Sequence, residues 1–184
     1  MRHTGRAGIT LSAIGLVALA ALSCGKDSTG PGPTVELIAC DSTTTGGWFL
    51  SRGFYVDSFP GVNLSQVDLY VSADAAGTYG VALTVRLATY DGTLVTSDTT
   101  SVSSTGASDN YVKATFTFPD PKIQKGALVT FDAAQLSGAG TAFLEGSDTT
   151  SCIVHGTNDK VPPLSTPQSS TLSGRRISIL GSAR

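Results

Sequence analysis

Charge is scarce in this chain. Asp, Glu, Lys and Arg together make up 14% of its 184 residues, where about a quarter is usual. A bundle of helices with charged outer faces is hard to write at that composition. Basic residues form no stripe, and the formal charge is −2, so nucleic acid is not an expected partner. Histidine occurs twice, as His3 and His155. A Ser-His-Asp triad needs a histidine in reach of both partners, and His155 lies in an expected strand. No G-x-S-x-G elbow, P-loop, dinucleotide glycine pattern or EF-hand loop is present. Fourteen acids offer many carboxylate pairs, but no pair is singled out as a glycosidase would require. The expectation is therefore a non-enzyme. It has no metal site and no cofactor, although a Ca²⁺ held by scattered Asp side chains and carbonyls would need no motif.

What the chain has is Ser, Thr, Gly and alternation. Val67, Leu69 and Val71 alternate with Gln66, Asp68 and Tyr70. Val81, Leu83, Val85 and Leu87 alternate with Ala82, Thr84, Arg86 and Ala88. Period two with one apolar face predicts half-buried antiparallel strands. Ser72 to Gly80 reads as a loop between them, and Asp91-Gly92 as a tight hairpin turn. The stretch is expected to be the heart of one sheet. Further strands are expected at Val35–Cys40, Arg52–Phe59, Tyr111–Phe118, Ala127–Ala134, Thr141–Leu144, Ser151–His155 and Arg175–Leu180. A weaker one, Thr93–Ser103, is the expected sheet edge. Nine or ten short strands with frequent turn signals predict an all-β, antiparallel sandwich. A jelly roll is the first choice and an Ig-like Greek key the alternative.

The N-terminus reads as an export signal. Arg2, His3 and Arg6 precede an uncharged apolar run, Ile9 to Leu22, which is short for a spanning helix. It ends in Ala21-Leu22-Ser23-Cys24. This resembles the lipobox of bacterial lipoproteins, with Ala21 where Leu is usual. The resemblance implies a signal peptide over 1–23 and lipidation of Cys24. It also implies a membrane anchor in the bacterial cell envelope, with Gly25 rather than Asp leaning towards the outer membrane. The other reading is an ordinary cleaved signal. Residues 24–34, polar and Gly/Pro-rich, read as the lipidated start and a flexible tether. Residues 35–184 are the domain. With Cys24 lipidated, Cys40 and Cys152 remain as an even pair in an oxidising compartment. A Cys40–Cys152 disulfide is the simplest inference. Free thiols, or a metal bound by Cys40, Cys152 and His155, are the alternatives.

The order of features over roughly residues 52–134 resembles jelly-roll accessory domains of exported bacterial proteins, sandwiches like carbohydrate-binding modules. The carrying stretches are GF…DSF, LSQVDLYVS, VALTVRLATYDGTLV and YVKATFTFPDP…IQKGALVTFDAA. Two readings follow. In the first, the domain is a non-catalytic binding module in which glycan stacks on exposed rings. Trp48, Tyr70 and Tyr111 are the expected platform; Tyr55, Tyr79 and Tyr90 lie at strand ends or turns. In the second, it is a structural or partner-binding envelope protein docking through the Thr93–Ser103 edge, and the rings merely cap the core.

Overall fold

The structure, a computed structural model, describes residues 34–40, 47–50, 53–146, 154–156 and 176–182, with backbone alone for 47–49 and 154–156. The expected signal peptide, Cys24, Cys152 and nearly all of the tether lie outside these residues. Eleven strands are described: β1 (Thr34–Cys40), β2 (Gly47–Phe49), β3 (Phe54–Val56), β4 (Asn63–Ala73), β5 (Ala76–Leu87), β6 (Leu94–Thr105), β7 (Val112–Thr117), β8 (Val129–Ser137), β9 (Ala142–Glu145), β10 (Val154–Gly156) and β11 (Ile177–Ser182).

They form two antiparallel sheets, so the fold is the expected all-β sandwich. One sheet runs β1-β11-β4-β9-β2, with β7 on the far edge of β4. The other runs β10-β3-β8-β5-β6. Alternation builds the core between them. Val67, Leu69 and Val71 of β4 face Val81, Leu83 and Val85 of β5, and all six are fully buried. Ala114, Phe116, Val129, Phe131, Ala133, Ile177 and Ile179 fill the space between, and Phe54 stacks on Phe131 at 5.0 Å.

Three expectations are corrected. First, β4 and β5 do not share a sheet: the chain crosses the sandwich between them. Alternation shows which residues face inward but not which sheet a strand joins. Among the described strands only β5 and β6 are consecutive and paired as a hairpin. Second, Ser72 to Gly80 is strand on both sides of a two-residue connection, Asp74-Ala75. Ala76 to Gly80, small apart from Tyr79, pair with Ser101 to Thr105, and the Asp74 carboxylate accepts the Thr141 N–H at 2.7 Å. Third, Asp91-Gly92 is not a two-residue turn. The connection spans 88–93, with Ala88 at φ 64° and the Leu87 N–H donating to the Thr93 carbonyl. Glycine is needed at 92 because any side chain there would strike the Leu87 carbonyl. This wider turn carries Leu87 to the surface, against the expected inward facing.

β6 is an edge strand, as expected. Its inward row includes Asp98, opposite Leu83, and the Asp98 carboxylate accepts the Thr117 N–H of β7 at 2.8 Å. An inward carboxylate at an edge discourages strand addition. Here it also stitches the edge of one sheet to the edge of the other.

Candidate functional site

Asp68, Tyr70 and Ser72 of β4 point away from the core, since their alternates Val67, Leu69 and Val71 fill it, but Asp68 and Ser72 are covered by their neighbours and Tyr70 is half-buried. On one side lies β7, with Lys113 opposite Tyr70. On the other side two strands share the edge end to end: β11 along Asn63–Leu69 and β9 along Val71–Ala73. Tyr70 sits where they meet. Glu145, the last residue of β9, and Arg176, just before β11, fill this junction. The Arg176 N–H donates to the Glu145 carbonyl at 3.0 Å.

The side chains repeat that clasp. Arg176 Nη1 donates to Glu145 Oε2 at 2.9 Å, and the guanidinium carbon lies 3.7 Å from the centre of the Tyr70 ring. A cation over a ring face is attracted by its quadrupole. Glu145 is buried and Arg176 half-buried. Arg176 Nε is buried and has no hydrogen-bond partner. Beside them, Lys113 Nζ pairs with Asp68 Oδ2 at 3.3 Å, and Gln66 Nε2 donates to Asp68 Oδ1 at 2.9 Å.

Tyr111 precedes β7 and is half-buried. Burial pushes its hydroxyl pKa above the usual tyrosine value; a hydrogen bond with the Ser72 side chain acts against this, while Glu145 and Asp109 add to the rise. Ser72 Oγ in turn donates to the Ser108 carbonyl at 2.6 Å, tying the 106–110 loop to the sheet. Tyr70 and Tyr111 are therefore brought together, around Ser72 and Glu145.

The third expected ring is placed only by its backbone. Trp48 is the register partner of Leu144, which in turn pairs with Val71. The side chains of Trp48 and His155 lie outside what is described. Three tyrosines expected at ends or turns are all buried; Tyr90 lies in the 88–93 turn as expected, whereas Tyr55 and Tyr79 lie within strands. Tyr55 belongs to β3, whose three residues are all covered. Tyr79 is held by its hydroxyl, which donates to the Ala75 carbonyl at 2.9 Å and accepts the Gly140 N–H at 3.1 Å. Its ring lies against Gly138, whose φ of 127° and missing side chain admit it. Tyr90 packs on Gly53 in the same way.

Arg176 and Glu145 were not expected in the site. The alternation of RRISIL puts Arg176 on the outer face with Ser178, which was readable. Its meeting with Tyr70 depends on β11 pairing with β4, and nothing local encodes that.

Among the described residues no group of three or more His, Cys, Asp or Glu gathers as a metal site. No helix among them is long and apolar enough to cross a membrane. No protein-family model matches the chain, and no curated protein is similar to it. Its structural neighbours include carbohydrate-binding modules. One is a family 6 carbohydrate-binding module from Clostridium cellulolyticum solved with xylose, at 15% identity and TM-score 0.38, covering 68% of this chain and 97% of that one. A β-1,3-glucan-binding CBM6 from Bacillus halodurans shares 15% identity at TM-score 0.37, covering 62% and 93%. A glycoside hydrolase family 43 arabinoxylan arabinofuranohydrolase from Bacillus subtilis shares 20% identity at TM-score 0.38. It is matched over 62% of this chain, which spans 26% of that enzyme. Likenesses of this size establish neither family nor ligand; the sandwich rests on its own strand pairing.

Proposed function

We propose that this protein is a non-catalytic binding module for glycan, held at the bacterial envelope by a lipid on Cys24. The observation that carries the binding reading is the cluster on the outer face of the larger sheet. There Tyr70 and Tyr111 stand beside Arg176, Glu145, Lys113 and Asp68. A sugar offers apolar ring faces edged by hydroxyls that both donate and accept. Rings with fixed donors and acceptors alongside match that chemistry. The partner-docking reading loses ground at its chosen edge, because Asp98 and Thr117 tie β6 to β7.

The anchor rests on the charged start, the apolar run and the Ala-Leu-Ser-Cys end. A Cys40–Cys152 disulfide belongs to the same proposal. It is supported by Cys40 being buried and disulfide-bonded, and by the even pair left once Cys24 is lipidated.

Affinity electrophoresis against soluble polysaccharides tests the binding reading. Wild type is retained, and Tyr70→Ala or Tyr111→Ala loses most retention while melting close to wild type. Wild type retained by no polysaccharide overturns the reading. Trp48→Ala sorts the third ring: lost retention with unchanged melting puts it in the site. A large fall in melting temperature puts it in the core, where truncating Trp costs about 3–5 kcal/mol.

A further inference from the structure

We infer that one end of the sandwich, where the chain enters β1, rests on the bilayer that holds the Cys24 lipid. This builds on the anchor reading above and adds an orientation to it. Strand pairing defines the end. Thr34 is level with Ser182, Ser182 with Asn63, and Asn63 with Lys122 on the other flank of β4. From Lys122 the chain crosses to the smaller sheet. On the way the Ile123 N–H donates to the Val62 carbonyl and the Gly126 N–H to the Phe59 carbonyl, and the Leu128 carbonyl accepts the Ala88 N–H. Leu87 ends β5 and Leu94 begins β6 at the same level. The start of β1, the 57–62 and 119–128 loops and the 88–93 turn therefore belong to one surface.

Three observations turn this surface towards lipid. The first is what it exposes. Four large hydrophobic side chains are exposed among the described residues, and three lie here: Val35 at 42%, Leu87 at 36% and Leu94 at 53%. The fourth, Leu136, lies beside Gly80, towards the other end of β5. Exposed apolar groups gathered in one place mark a docking surface. The second is charge. Arg86, Lys122 and Lys125 here are balanced by Asp57, Asp91 and Asp120, so a headgroup layer of paired opposite charges meets no net repulsion. Lysine stems lie along apolar surface while their ammonium groups reach phosphate. The loops at the opposite end, 74–75, 106–111 and 138–141, carry Asp74 and Asp109 and no lysine or arginine. The third is where the chain leads. Only residues 25–33 separate Thr34 from Cys24, a span of at most about 32 Å. A short leash keeps this end at high effective concentration beside the bilayer, so contacts too weak to bind alone suffice. Ser72, beside Tyr70 and Tyr111, lies nine residues along β4 from Asn63, about 30 Å away. A domain docked in this way holds its candidate glycan site clear of the membrane.

The test uses the full chain, processed in a bacterial host and mixed with phosphatidylcholine vesicles. An environment-sensitive dye is carried on Leu94→Cys or, as the far-end control, on Leu136→Cys, and spin-labelled phosphatidylcholine is the quencher. Flotation is measured on the same samples. The expected result is co-flotation, with the dye at 94 quenched at least threefold more than the dye at 136. Co-flotation with equal quenching at both positions, or with none at either, overturns the docking and leaves the anchor standing. A dye at 94 that is shielded in detergent without phospholipid, increasingly as protein concentration rises, shows a second copy covering this end and also overturns the lipid assignment. A chain that does not float overturns the anchor reading and this inference with it. If Leu94→Cys melts well below wild type, Lys125→Cys, exposed on the same surface, takes its place.

Discussion

The outward rows of the two sheets are built very differently. The outer row of β6 is Ser97, Thr99, Ser101 and Ser103, all exposed, beside Ala82 and Thr84 of β5. It carries hydroxyls and no rings. The outer row of β4 is Asp68, Tyr70 and Ser72, flanked by Lys113, Glu145 and Arg176. Both rows follow from the same period-two alternation and cover the same core. Solvating an edge strand therefore needs only small hydroxyl side chains. The second face has side chains beyond that need, held in place by one another. What separates a covering from a site is this mutual fixing rather than polarity.

The largest effects should come where the faces make no difference. Leu83→Asp and Val85→Asp bury an unpaired charge between the sheets, a mechanism that costs more than about 4 kcal/mol. Neither should fold, by circular dichroism and thermal melting. Thr84→Lys on the opposite side of β5 should fold normally. Lysine is the better probe here than aspartate, because Thr84 is the register partner of Asp132 and like charges across a pair destabilise. A Leu83→Asp protein that melts like wild type would show that the core is misplaced.

Next come the two ion pairs of the ring-bearing face. Glu145→Ala strips a buried carboxylate from Arg176. Because the arginine is partly wet, the loss should fall below the about 3–5 kcal/mol of a fully buried pair, but well above the about 0–1 kcal/mol expected of Lys113→Ala. Denaturant melts of both variants check the order. Equal losses would mean the junction is no more tightly built than the surface around it.

A smaller effect concerns alkaline pH. The hydroxyl pKa values of Tyr55 and Tyr111 are both raised, chiefly by burial. A group whose pKa is raised on folding contributes stability that is complete below its unfolded value, here 10.0, and lost as pH climbs through the folded value. Stability should decline above about pH 10, and Tyr111→Phe should remove part of that decline. A Tyr111→Phe curve parallel to wild type would contradict the assignment. Smallest of all, Ser101→Ala on the hydroxyl face should shift stability by no more than about 0.5 kcal/mol and leave polysaccharide retention unchanged.

Much of this was legible in local pattern. Val67, Leu69, Val71, Leu83, Val85, Phe116 and Phe131 declared their facing by alternation alone, and that sufficed for a sandwich. Tyr70 was legible as pointing away from the core for the same reason, but not as half-buried with a ring face covered by Arg176. The partners of Tyr70 were not, because Glu145 and Arg176 reach it through pairings with β4 over long sequence separation. Nor were Tyr79 and Tyr90 legible as buried. Tyr79 looks like part of a turn and Tyr90 is in one, and only the bare Gly138 and Gly53 show that the rings have room to be buried. Asp91-Gly92 misled because its glycine serves a close backbone approach rather than a two-residue turn.

Among the described strands β1 pairs only with β11, and β11 also lines β4. The first described strand therefore waits for the last. A chain that emerges N-terminus first, from a ribosome or through a translocation pore, holds β1 and one edge of β4 open until residues near 182 have appeared. Closing so long a loop is slow, because its entropy is lost before the contacts repay it. The order of synthesis is thus set against early closure, and the larger sheet can be completed only after the whole domain has been delivered.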